Sequence, residues 1–223
     1  MAATKRATSK KKLIDEDQII ASYMDYMLRT EHGSPNVYRF CKENEIEESD
    51  FYSFFGSFDS IKQIIWLKFF ENATSNIEKE EAYITYSDKN KLLTLFFTMF
   101  EILTLNRSYV TFTLKENHQG LKNLKDLKQF RRRFKNFIEE IIDDNEANQI
   151  AQINKITKPL FAEGAWIQFL LLLKFWLEDG SKGFEKTDIA IEKSVNTVVD
   201  LLNTRPLENL IDLGKFLWKE RKM

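Results

Sequence analysis

Residues 37–61 read VYRFCKENEIEESDFYSFFGSFDSI, and the spacing inside this stretch decides the fold. Val37, Phe40 and Cys41 recur at three- and four-residue intervals, the repeat of one helix face, and the pattern runs out near Asn44. A tight turn at Glu45-Ile46 leads to a second set, Phe51, Tyr52 and Phe55, on a helix starting near Glu47. Gly56-Ser57 breaks that helix, and a long one is expected over residues 58–79. Upstream, Ser34-Pro35 reads as a cap followed by proline at the first helical position. Before it, Ile19, Ile20, Tyr23, Met24 and Met27 predict a helix over residues 17–29, ended by Glu31-His32-Gly33.

Three short helices followed by a long one are compatible with a helix-turn-helix head, in which a short second helix braces a third that enters the major groove, and equally with a small helical core that the aromatics simply fill. Phe51 and Phe55, at i and i+4, are expected to lock the third helix onto the first two. Tyr52 then points outward, its hydroxyl placed to bond a phosphate.

The helical reading continues past residue 80. Ser87 or Asp88 caps a segment to residue 105, and another covers residues 107–115 up to Asn117-His118-Gln119-Gly120. Residues 121–142 predict a long amphipathic helix, and Pro159 is expected to open the most apolar one, ending at Asp179-Gly180. Thr187 or Asp188 caps a helix to residue 203, and Pro206 starts the last. With 7 Gly and 3 Pro in 223 residues, breakers are scarce, and no alternating strand pattern occurs. The fold class is all-α, about nine or ten helices: a three-helix head over residues 13–60 and a larger bundle over residues 61–223, preceded by a basic arm, residues 1–12.

Composition excludes several functions. The single cysteine, Cys41, rules out a disulfide framework and a Cys-built metal site, and fits a reducing cytoplasm. His32 and His118 sit in polar, turn-like stretches, and no metal-binding, nucleophile-elbow, phosphate-loop or dinucleotide motif occurs. We therefore expect no enzyme, no cofactor and no metal. The most apolar run, residues 166–177, is interrupted by Gln168 and Lys174 and is too short for a membrane span of about 20 residues. It predicts a helix buried on several sides, shared with a partner subunit.

Val37-Tyr38-Arg39-Phe40-Cys41 and residues 45–61 resemble the TetR family of transcriptional regulators. Ile46, Phe51, Tyr52, Phe55, Ser57, Asp59 and Ile61 fall on positions of the family pattern, and the resemblance spans about residues 17–67. It implies a homodimer that binds double-stranded operator DNA and an effector pocket inside the bundle, opening onto the fourth helix. The DNA contacts would come from Asn36, Tyr38, Ser49, Tyr52 and Ser53, with Lys10, Lys11 and Lys12 of the arm. Phe58 stands where the family usually has lysine, and Phe54 where histidine is frequent. Glu47, Glu48 and Asp50 occupy recognition-helix positions that are usually small, polar or basic.

The charge distribution bears on that implication. Residues 13–60 carry three Lys/Arg against eleven Asp/Glu, a formal −8, while the arm (Lys5, Arg6, Lys10, Lys11, Lys12) carries +5. DNA affinity rests largely on phosphate neutralisation, so the arm must supply most of it. Residues 121–137 hold seven Lys/Arg against Asp126 alone. They read as a solvated face beside the core, or as a peripheral contact with an anionic membrane or an acidic partner.

Phe69, Phe70, Phe96, Phe97, Phe100, Phe112, Phe161, Trp166, Phe169, Phe175 and Trp176 are expected to line the bundle interior. A hydrophobic small molecule or lipid, held by Phe69, Phe96, Phe100, Phe112, Trp166 and Phe169, suits such walls, and so does a filled core. The dimer face is expected on the helix that carries Trp166, Leu170, Leu173 and Trp176. Two functions follow: a ligand-responsive regulator, or a hydrophobic-molecule-binding protein that kept the fold and lost DNA recognition. The second resembles the TetR-like proteins of ubiquinone biosynthesis.

Overall fold

The computed structural model describes residues 14–30, 36–116, 124–143 and 151–202. Among these described residues there are nine α-helices and no strand. They are α1 (Glu16–Arg29), α2 (Val37–Glu43), α3 (Glu48–Phe54), α4 (Phe58–Glu78), α5 (Asp88–Leu105), α6 (Arg107–Glu116), α7 (Lys128–Asp143), α8 (Ala151–Glu178) and α9 (Glu185–Leu202). The all-α fold is as expected. The helix from Pro206, the Ser34-Pro35 start signal and both histidines lie outside the described residues.

The chain forms two compact units, Met1–Ile65 and Trp66–Met223. The division falls inside α4, beyond the expected boundary at residue 60, because the first turns of α4 belong to the head core. Phe58 packs on Tyr23 (ring centroids 5.0 Å), Phe40 (5.8 Å) and Phe51 (5.9 Å), and Ile61 is fully buried. The aromatic ring at position 58 therefore fills the head core instead of offering a surface cation. Edge-to-face packing of this kind adds about 0.5–1.5 kcal/mol per pair beyond area burial.

Local capping sets the head helices. Asp15 and Gln18 form a reciprocal capping box at α1. Asn36 caps α2, its side chain accepting from the Arg39 N–H at 2.8 Å. Glu47 precedes α3 without a side-chain cap, so its carboxylate stays on the surface.

In the second unit, three expected bounds change. Residues 124–127 form a 3-10 turn before α7, so the amphipathic helix begins at Lys128. Pro159 lies inside α8 rather than opening it; it is exposed, where water can satisfy the carbonyl that its missing N–H leaves behind. α9 begins at Glu185, two residues before Thr187, for a reason given below. The core is a continuous aromatic cluster from α4, α5, α7 and α8. Phe130 meets Trp66, Phe70, Phe134, Trp166 and Phe169 at centroid distances of 5.1–6.1 Å.

Candidate functional site

α8 has two apolar faces with different fates. Ala162, Ala165, Trp166, Phe169, Leu173 and Trp176 point into the protomer and are buried. Leu160, Ile167, Leu171 and Phe175 are 43–65% exposed, and their spacing makes one stripe on the opposite side. With α9 this stripe walls a groove of about 600 Å³, its lining almost wholly apolar and closed on the α9 side by Ala190, Thr197 and Val198. Gln168 donates to the Ser194 hydroxyl at 2.9 Å across the groove floor and joins the two helices there. By length and composition alone, Lys158–Glu178 could cross a bilayer. In the structure, its Trp166 side is instead spent on the protein's own core.

Most of the residues expected at the dimer face lie on the inward side of α8. Trp166, Leu173 and Trp176 are 3%, 0% and 0% exposed within a single copy, and Leu170 is half-buried. The largest rings bury the most apolar area and were taken inward; the free face is the smaller-residue stripe around Gly164, Ile167 and Leu171.

One end of the α8–α9 pair is fixed by a dense polar junction. The Asp179 carboxylate accepts from the Ser181 N–H (2.8 Å) and hydroxyl (2.7 Å), and from the Thr187 N–H (3.0 Å) and hydroxyl (2.7 Å). Asp179 thus caps the first turn of α9 from outside the helix, and α9 extends back past Thr187 to Glu185. Burial pushes the Asp179 pKa up, but these four bonds outweigh it and hold the carboxyl down at about 2. Arg107, from the start of α6, donates to the carbonyls of Trp176 (3.0 Å), Leu177 (3.5 Å) and Asp179 (3.3 Å) at the end of α8, where the Trp176 carbonyl also accepts from the Asp179 N–H (3.2 Å). Its guanidinium lies 4.3 Å from the Phe184 ring centre as well, with Phe184 at φ 62 next to Gly183 at φ 63.

The rings expected to line a ligand pocket touch one another. Phe100 meets Phe169 at 5.8 Å, Trp166 stacks on Phe169 at 5.5 Å, and Phe96 meets Phe134 at 6.2 Å; all of these rings are buried. Phe69 is buried against Trp66, and Phe112 is half-buried on α6. Of the rings expected inside, Phe97 and Phe175 are instead 38% and 43% exposed.

The basic face of α7 is largely engaged. Arg131 (2.8 Å) and Lys135 (2.6 Å) both pair with Glu163 of α8, and Arg133 pairs with Glu140. Hydrogen bonds from Lys135 and then Arg131 hold the Glu163 carboxyl below its usual range. Lys128 and Arg132 remain exposed.

In the head, Asn36, Ser49 and Ser53 are exposed, and Tyr38 and Tyr52 are 60% and 52% exposed. Asn36 is occupied as the α2 cap, and the Ser53 hydroxyl donates to the Asp50 carbonyl at 2.7 Å. Both arginines of the head are paired with their own helix: Arg29 with Asp25 and Arg39 with Glu43, each at 2.7 Å. Sequence reading found the acids but not these pairings, which only the i, i+4 spacing could have signalled. Lys10, Lys11 and Lys12 lie outside the described residues. Among the described residues no group of three His, Cys, Asp or Glu could hold a metal ion.

Residues 91–217, more than half of the chain, match the family model described as "Tetracyclin repressor-like, C-terminal domain". The chain belongs to the TetR family. No curated protein matches it. The matched stretch covers α5 to α9, and the TetR-like head pattern lies before it, so the two resemblances rest on separate residues. The protein is in general terms a TetR-family regulator.

Proposed function

We propose that the protein is a ligand-responsive TetR-family regulator that acts as a homodimer on operator DNA. The observation that carries the dimer is the exposed Leu160, Ile167, Leu171 and Phe175 stripe, on a helix whose other side is core. Large exposed apolar patches mark interaction sites, and a self-complementary stripe on two adjacent helices suits a two-fold pairing. A dimer carries two heads, which matches a palindromic operator. In each head Tyr38, Ser49, Tyr52 and Ser53 face the duplex, and the arm with Lys10, Lys11 and Lys12 provides most of the phosphate neutralisation. The effector is a hydrophobic small molecule or lipid admitted among the aromatic rings of the second unit, which an apolar wall with few polar groups favours.

Selection of duplexes from a random pool by the full-length chain at physiological salt tests this reading. A palindromic consensus is expected, and its recovery by a chain lacking residues 1–12 would remove the arm from the account.

A second reading is favoured by one observation: the acidic recognition helix beside two arginines already paired with carboxylates. On it, the protein holds a hydrophobic molecule and does not read DNA. An empty selection together with a co-purifying apolar molecule in native mass spectrometry would put this reading first. Among the described residues of 121–137, the exposed Lys128 and Arg132 support a contact with anionic membranes, and vesicle flotation checks it.

A further inference from the structure

Gly164 lies in the middle of α8, a helix of 28 residues, and lines the groove between α8 and α9. A glycine inside a helix is destabilising relative to alanine, so the position calls for a reason. Its own protomer offers none. A Cβ at Gly164 would meet no atom within 4 Å, and the backbone there has no positive φ. The space over Gly164 is therefore a hole in the exposed face of α8, in a groove that Ile167, Gln168, Thr197 and Val198 also line. The same face carries a matching protrusion. Leu171 stands about two turns further along and is the most exposed side chain of the stripe Leu160, Ile167, Leu171 and Phe175.

A second copy of the chain is the occupant that this pattern fits. In a two-fold dimer a face meets itself, so the hole and the protrusion of one helix fill each other when they lie equally far on either side of the axis. Leu160 and Phe175, the ends of the stripe, place its centre between Ile167 and Gln168. About that centre, antiparallel α8 helices set Leu160 against the partner's Phe175 and Leu171 against the partner's Gly164. A parallel pairing would instead leave hole against hole. It would also bring the exposed Lys174 and Glu178 against the partner's Lys174 and the partner's Glu178, like charge on like. We propose that two copies pair through antiparallel α8 helices in this register, the Leu171 side chain of each seated over the Gly164 of the other. The register rests on the homodimer reading and goes further by fixing which residues meet. What the glycine costs one protomer is offset at the interface, where the missing side chain lets a leucine be buried.

Exchanging the hole and the protrusion tests this, with dimer dissociation constants from sedimentation equilibrium of the full-length chains. Gly164→Leu should weaken the dimer by about tenfold or more, because two leucines then compete for one space. Leu171→Ala should weaken it by about tenfold as well, by leaving the hole empty. The double variant again has one large and one small side chain at each contact, and its dissociation constant should return to within about threefold of the parent's. Circular dichroism reports that each variant keeps its helical content, and in a single copy residue 164 admits a Cβ without a clash. Losses that simply add in the double variant, or a dimer indifferent to either single substitution, would overturn the register and leave the homodimer standing. A monomeric parent would overturn the homodimer reading and the register together.

Discussion

The Arg107 guanidinium lies 4.3 Å from the centre of the Trp176 ring while it donates to the Trp176 carbonyl at 3.0 Å. One residue of α6 therefore holds both the side chain and the backbone of the last turn of α8. Trp176 is anchored from the other side by its indole N–H, which donates to the Thr104 hydroxyl at 3.1 Å. Burial pulls the Arg107 pKa down from its ordinary value and Asp179 opposes that shift; an arginine stays charged regardless.

Replacing Arg107 by methionine keeps most of the volume between Trp176 and Phe184 but removes the guanidinium from three carbonyls, of which the Trp176 carbonyl keeps the Asp179 N–H at 3.2 Å. A loss of about 2–3 kcal/mol is expected. In a chain of this size this corresponds to roughly 4–12 °C in Tm, read by differential scanning calorimetry. Lysine should recover only part of it, since a single ammonium cannot fork across three acceptors or stack between two rings.

Asp179 should make the bundle acid-sensitive. Its folded pKa of about 2 lies below the ordinary value of 3.8, so its contribution is fully present above about pH 4 and is lost as pH falls toward 2. Urea midpoints measured from pH 6 down to pH 2 should fall more steeply for the parent than for Asp179→Asn. The variant should already be less stable at pH 6, because the amide cannot accept four hydrogen bonds as a carboxylate does.

Cys41 should be inert in the folded protein. It is 2% exposed, and burial, followed by the charges of Glu48 and Glu47, pushes its pKa up to about 11. At pH 8 only about one thiol in a thousand is then ionised, so an aromatic disulfide reagent should react with it only after denaturant is added. Rapid stoichiometric labelling of the native chain would show that the head opens far more readily than its core implies.

The acids of α3 set the sign of any DNA effect. Glu47→Gln with Glu48→Lys removes two negative charges and adds one positive, at positions whose side chains cap nothing in the described structure. Non-specific duplex affinity should rise, with a salt slope steeper by about 0.9 for each additional phosphate neutralised. Fluorescence anisotropy on a random duplex at several salt concentrations measures both; an unchanged affinity would mean that this helix does not approach the duplex.

Much of the fold was legible because the periodic signals are local. Ser87 caps α5 as its sequence indicates, and Phe51 and Phe55 are buried in the head as their i, i+4 spacing requires. Boundaries failed where the deciding partner is distant in sequence. Asp179 draws the start of α9 back to Glu185, and no cap signal inside α9 itself reveals that. The exposed stripe of α8 escaped the sequence reading for a related reason. A helix that is apolar nearly all round gives no indication of which side its own protomer takes, and Phe130 and Phe134, 36 and 32 residues away, claim Trp166. The acidity of the head was plain from composition, whereas the pairing of both its arginines emerged only with the helix registers.

Homodimerisation through the α8–α9 groove is the claim on which the functional reading turns, and sedimentation equilibrium of the parent beside Leu171→Glu tests it most directly. Leu171 is 65% exposed and lies in the centre of the stripe, so the substitution leaves the protomer core untouched. The parent should sediment at micromolar concentration with twice the 26.4 kDa mass of one chain, and Leu171→Glu at a single chain's mass with its helical content retained. A parent that is monomeric under these conditions, or a Leu171→Glu variant that remains fully dimeric, would contradict the account.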